Sequence, residues 1–262
     1  MQPTLFLSHG SPMMPFEDIP ARSFIASLGQ TLERPKAILL VSAHWDNDVP
    51  TLSAADNLDT IHDFYGFPQQ LYALSYPAHG DPALAESIAD TLGDAGLRAY
   101  TDAARGLDHG AWIPLMLMYP QADIPVIQLS IQSALGPGHH LQLGRALASL
   151  REQNILVIAS GGFTHNLRSL DRRPSILGGG NDEPAWATEF ADWMHNALMA
   201  NRTCDLVSYR RLAPHAAMAH PTDEHLLPLF VALGAAGPDA QPQRLHVSTT
   251  LGALRLDAYA FN

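Results

Sequence analysis

Three apolar runs that each terminate in a histidine constrain this chain more than any other feature. Residues 37–45 read AILLVSAHW, residues 4–9 read TLFLSH, and residues 155–165 read ILVIASGGFTH. Runs this short and this rich in Ile, Leu and Val, without alternating polar positions, are strands buried on both faces, as in a sheet covered by helices on each side. In open α/β sheets, ligands bind outside the carboxyl ends of the strands. A lone histidine at such an end is usually a hydrogen-bonded polar residue and nothing more. His9, His44 and His165 share one architectural position, so they are expected in one crevice, where converging imidazoles suit a metal.

Between these runs the chain alternates helix and strand, with no clear linker and no internal repeat. Helices are expected over residues 21–32, 81–92, 113–119, 141–153 and 183–199. In the second of these, Asp81 is an N-cap candidate, Pro82 suits the first helical position, and Leu84, Ile88 and Leu92 recur at helical spacing. A strand is expected over residues 124–131, and two closing strands near Leu245 and Leu254. Residues 57–80 form a long irregular segment rich in aromatics, which inside a compact domain is usually a binding loop or lid. A Gly- and Arg-rich loop follows the third run as far as Asn181. At 262 residues the pattern implies one domain, residues 1–262: an α/β three-layer sandwich around a mostly parallel or mixed central sheet.

Composition narrows the partners. No apolar run approaches the roughly 18 residues of a membrane span, and the opening MQPTLFLSHG lacks the basic region of a signal peptide. The single cysteine, Cys204, excludes an internal disulfide and fits a reducing cytoplasm. A formal net charge of -11 argues against nucleic-acid backbones and anionic membranes. Small molecules remain as ligands, and self-association into a homo-oligomer stays open.

The histidines carry the chemistry, because other constellations are weak. Ser8 or Ser11 in SHGSP would need a GxSxG elbow and an ordered acid to serve as a nucleophile, and neither is present. Cys204 lies in a polar turn away from the histidine runs. His139, His140, His195 and His246 sit in expected helix or strand contexts with no polar neighbours of interest, and His215 and His220 are expected in second-line or structural roles.

Six motifs in one order span nearly the whole chain: SHGSP at 8–12, SAHW at 42–45, TIHDFYGFP at 60–68, GLDHGAW at 106–112, FTHNLR at 163–168 and PTDEHLLPL at 221–229. Together they resemble the extradiol ring-cleavage dioxygenases of the DODA type, within the LigB-like superfamily. The resemblance implies a single-domain α/β fold, a mononuclear non-haem Fe(II), and insertion of O2 into a DOPA-like catechol beside its hydroxyls. Zn(II) can replace iron in purified protein, since the site is rich in imidazole. By the same resemblance His9, His44 and His225 match the metal ligands, His165 matches an acid/base or fourth ligand beside the metal, and His109 matches a pocket residue near the substrate. His225 stands where much of the superfamily has a carboxylate; Glu224 is adjacent, and His225 is preferred because the motif reads through it. His62 either binds a substrate carboxylate or braces its loop. Three imidazoles and an open position would also suit a zinc-dependent hydrolase, and the fold without chemistry would suit a binding protein.

Overall fold

In the computed structural model, which describes residues 1–171 and 183–262, the three histidine-bearing runs become neighbouring parallel strands. The strands are β1 (Thr4–Ser8), β2 (Ala37–Asp46), β3 (Thr51–Ser53), β4 (Tyr100–Asp102), β5 (Val126–Ile131), β6 (Ile155–Gly161), β7 (Pro242–His246), β8 (Thr249–Thr250), β9 (Leu254–Arg255) and β10 (Ala258–Phe261). Among the described residues eight of them form one sheet in the order β4-β3-β5-β2-β6-β1-β10-β7. Its centre, β5 to β1, is parallel; β3 joins β5 antiparallel at one side, and β10 and β7 join antiparallel at the other. The sheet is therefore mixed with a parallel centre.

Alternation along each central strand explains why it must be covered twice. Leu5, Leu7, Ile38, Leu40, Leu156 and Ile158 face one core, while Leu39, Val41 and Val157 face another, and all are fully buried. The first face is covered by α1 (Pro20–Thr31) and α3 (His109–Met118); the second by α2 (Pro82–Asp94), α4 (Gly136–Ala146) and α6 (Leu227–Ala235), with α5 (Ala185–Met199) packing beside α6. Each fully buried Leu or Ile contributes roughly 1.5–3 kcal/mol of transfer free energy, so a two-sided strand is fixed in register far more firmly than its neighbours in loops. Among the described residues no helix is long and apolar enough to cross a membrane.

Most expected elements form where their signals lie, and the departures have local causes. Asp81 caps α2, accepting the Leu84 N–H at 3.0 Å. The helix expected over 141–153 starts earlier, at Gly136, because Pro137 suits a first turn; it stops at Ala146 and continues as a 3-10 segment, Ala148–Gln153. The third run ends as a strand at Gly161, so His165 stands on a loop. The closing strand expected near Leu254 is only the short β8–β9 pairing, turned at Leu251 and Gly252 with positive φ; the strand that completes the sheet is β10, which the sequence reading did not include. The Gly- and Arg-rich loop falls largely outside the described residues.

Two buried histidines outside the cluster of strand-end motifs give the fold a pH dependence. His140 donates from Nδ1 to the Gly136 carbonyl at 2.7 Å and accepts the Gln132 N–H at Nε2, and burial pulls its pKa down to about 4. His220 donates from Nε2 to the Phe163 carbonyl at 3.0 Å, and burial pulls it down to about 3. The unfolded chain takes up protons near 6.5 while these folded sites do not, so stability is complete above that value and falls as pH drops from 6.5 towards 4, by up to ~1.4 kcal/mol per pH unit for each group. Urea denaturation of metal-free protein should show a lower midpoint at pH 5 than at pH 7, and His140→Gln should shrink that difference; identical midpoints would contradict the assignment.

Candidate metal centre

Five imidazoles meet at the carboxyl end of the central strands. His9 is the first residue after β1, where its N–H reaches the Gly161 carbonyl at 3.0 Å. His44 lies within β2, where the register to β5 shifts between Val41 and Asp46. His109 opens α3. His165 follows β6, with its backbone N–H on the Ala219 carbonyl at 2.8 Å, and His225 precedes α6, its carbonyl accepting the Gly162 N–H at 2.9 Å. His44 Nε2 lies 3.0 Å from His9 Nε2 and 3.3 Å from His225 Nε2. The His109 ring centres 4.0 Å from that of His44, and His165 stacks on His225 at 3.3 Å. The structure thus brings His9, His44, His109, His165 and His225 together.

Hydrogen bonds on the outer edges decide which nitrogens carry protons. The Ser160 hydroxyl donates its one hydrogen to the Gly110 carbonyl, so at 3.0 Å from His9 Nδ1 its oxygen can only accept. Glu224 Oε1 accepts from His225 Nδ1 at 3.1 Å, and Asp63 Oδ2 faces His44 Nδ1 at 3.5 Å. His9 and His225 therefore keep the proton on Nδ1 and turn a bare Nε2 inward, and the Asp63 charge near His44 Nδ1 favours the same tautomer there. Three lone pairs at such separations repel one another, and a cation among them converts the repulsion into coordination. The donor set fits a metal. Burial holds His9 and His225 far below the usual imidazole pKa, helped by the surrounding imidazoles. Burial likewise lowers His44 to about 3, with His109 adding to the effect and Asp63 opposing it. All three are neutral at pH 7, as ligation requires.

The remaining polar groups brace this cluster. Asp108, fully buried, accepts from Ser42 Oγ at 2.6 Å, from Arg105 at 2.9 Å and from Gln128, and so pins the start of α3 to β2 and β5; burial pushes its carboxyl up. Asp63 accepts from both the backbone N–H and Nδ1 of His109, each at 2.9 Å. Neither aspartate stood out in the sequence reading, although both sit beside histidines in quoted motifs. His62 is set apart from the five: its Nε2 donates to the Leu74 carbonyl at 3.0 Å, and its ring packs among Phe64, Tyr72 and Trp112. Ser8 is fully engaged, donating to the Asp257 carbonyl and accepting the Phe163 N–H. Ser11 accepts the Met13 N–H, and Cys204 is exposed on a short helix, Thr203–Val207, where a polar turn was expected.

Two glycines make the close approach of these segments feasible. A Cβ on Gly161 would lie 2.1 Å from the His225 carbonyl, and one on Gly110 would lie 2.6 Å from Ser42 Oγ and 3.0 Å from the His44 ring. Gly110→Ala should leave the helix intact yet displace His44, weakening metal affinity at least about tenfold in a chelator competition. Unchanged affinity would mean that His44 does not depend on this packing.

Comparison with known proteins gives the same reading from a separate direction. Residues 3–256 match the family described as the catalytic LigB subunit of aromatic ring-opening dioxygenase. The chain is 44% identical over 262 residues to the 4,5-DOPA dioxygenase extradiol of Beta vulgaris, covering 98% of this chain and 96% of that one. A protein of the same name from Escherichia coli (strain K12) is 42% identical over 237 residues, covering 89% and 84%. The crystal structure of an uncharacterized protein from Escherichia coli K12 superposes with a TM-score of 0.81 at 33% identity, over 100% of both chains. With the match running almost end to end and across every segment that supplies a clustered histidine, this chain belongs to the LigB family of aromatic ring-opening dioxygenases.

Proposed function

We propose that the protein is an extradiol dioxygenase that opens the ring of a DOPA-like catechol with O2, using one non-haem metal held by His9, His44 and His225. The observation that carries this reading is the meeting of three Nε2 atoms at 3.0 and 3.3 Å, with oxygens of Ser160, Glu224 and Asp63 on the far edges of the rings. Three protein ligands would leave positions open for two catechol oxygens and O2, as in non-haem Fe(II) oxygenases. Fe(II) is the metal expected to support turnover, and Zn(II) fits the same nitrogens. Such a metal, when bound, lowers the pKa of a catechol hydroxyl and brings O2 beside the ring.

The chain's own residues supply the proton handling. His165 lies flat against His225, and burial lowers its pKa to about 4, with Glu224 opposing and His109 assisting. At neutral pH its ring is uncharged and can take the second catechol proton, then return it to the leaving oxygen, as a general base and acid. His109 stands on the other side, above His44; with Nδ1 committed to Asp63, it offers Nε2 to the substrate. Phe64, 5.7 Å from the His109 ring, forms an aromatic wall on the 57–80 loop, and His62 serves binding by bracing that wall. The lone, exposed Cys204 thiol suits a reducing cytoplasm.

Replacing His9, His44 or His225 by Ala should abolish stoichiometric metal, read by elemental mass spectrometry, while the fold survives. His165→Ala should keep its metal and lose on the order of 10²–10⁴ in turnover, the usual scale of acid/base catalysis. Full metal content in any two of the three ligand variants would overturn the ligand set, and metal loss in His165→Ala equal to that of His44→Ala would make His165 a fourth ligand. An oxygen electrode tests the reaction itself: anaerobically loaded Fe(II) protein should consume O2 only when a catechol is added. Zinc-dependent cleavage of esters or amides without O2 uptake would favour a hydrolase instead.

A further inference from the structure

We propose that Asp63 is a positioning residue: its single carboxylate sets the orientation of both His44 and His109, tying the 57–80 loop to the metal centre. The inference rests on the proposed ligation by His44. Asp63 Oδ1 accepts the backbone N–H of His109 at 2.9 Å, while Oδ2 accepts His109 Nδ1–H at 2.9 Å and lies 3.5 Å from His44 Nδ1. One oxygen thus anchors the first turn of α3, and the other stands between two imidazoles whose centres are 4.0 Å apart. A carboxylate has no proton to give, so His109 must present Nδ1–H to it and Nε2 to the cavity, and the same charge 3.5 Å from His44 Nδ1 favours that tautomer of His44. A flipped His109 would set carbon against the carboxylate and lose a charge-assisted bond, roughly twice as strong as a neutral one.

The other supports of the cluster do not duplicate this link. His9 leans on the neutral Ser160, and Glu224 is close to His225 at 3.1 Å but only 4.0 Å from His165 Nδ1. Asp63 itself is poorly placed to be a ligand, because it stands at the Nδ1 edge of His44 while the converging atoms are Nε2, and both its oxygens already accept N–H groups. It comes from the loop that also carries Phe64, whose ring faces His109. Loop placement, pocket histidine and ligand are therefore fixed through one side chain.

The test uses full-length protein loaded with Zn(II), a diamagnetic probe, and compares wild type with Asp63→Asn and Asp63→Glu. Imidazole nitrogen NMR should report His109 as the Nδ1–H form in wild type, and Asp63→Asn should lose that form because an amide cannot accept both N–H groups. Zinc affinity, measured by chelator competition, should fall 10–100-fold in Asp63→Asn, the usual cost of losing an outer partner of a ligand, and recover in part in Asp63→Glu. Asp63→Asn with wild-type tautomer and wild-type affinity would overturn the proposal. So would an intact tautomer with zinc loss as complete as in His44→Ala, since Asp63 would then be a ligand. A wild type that takes up no zinc, yet whose metal-free His109 switches tautomer in Asp63→Asn, would refute ligation by His44 while supporting the hold of Asp63 on His109.

Discussion

Bare imidazole nitrogens aimed at one another inside a protein repel, and they stay together only if the scaffold leaves them nowhere else to go. Here β1, β2 and β6 are fixed in register by side chains buried on both sheet faces, so His9 and His44 are delivered to one end of the sheet by packing that is indifferent to the site. His225 is brought in by its carbonyl, which lies against the Gly162 N–H, and by the missing side chain of Gly161. The apolar sheet supplies the force, and the polar cluster uses it.

Around that cluster the division of labour is chemical. Neutral or anionic oxygens sit behind the rings and hold the protons on Nδ1, while burial keeps the rings uncharged. The two effects act in the same direction, towards unprotonated Nε2 facing the cavity. His109 and His165 flank the three, one beside His44 and one against His225. Asp108, raised by burial yet satisfied by Ser42, Arg105 and Gln128, spends its charge on fixing α3 and so fixes where His109 begins.

Much of this was legible because burial on two faces leaves a plain trace: uninterrupted Ile, Leu and Val, then a histidine. The Asp81 cap was legible because capping is a local event with a short signature. The sequence was silent where outcome depends on which of two neighbours turns inward. In the 57–80 loop His62 and Asp63 are adjacent, no periodicity ranks them, and the structure places Asp63 against the cluster while His62 braces its loop. Asp108 beside His109 poses the same difficulty at a helix start. β10 was missed because Ala258–Phe261 is short and close behind the β8–β9 turn, and its role comes from pairing with β1, some 250 positions distant in the chain.

The account stands or falls on a metal sitting among three Nε2 atoms. An anomalous difference map from crystals loaded with Zn(II) or Fe(II), collected at the metal's absorption edge, measures that directly. One peak about 2.0–2.1 Å from Nε2 of His9, His44 and His225, with His165 and His109 outside that distance, is the expected result. A peak bound through Nδ1 atoms, one centred on Glu224 or Asp63, or none at this end of the sheet would contradict it.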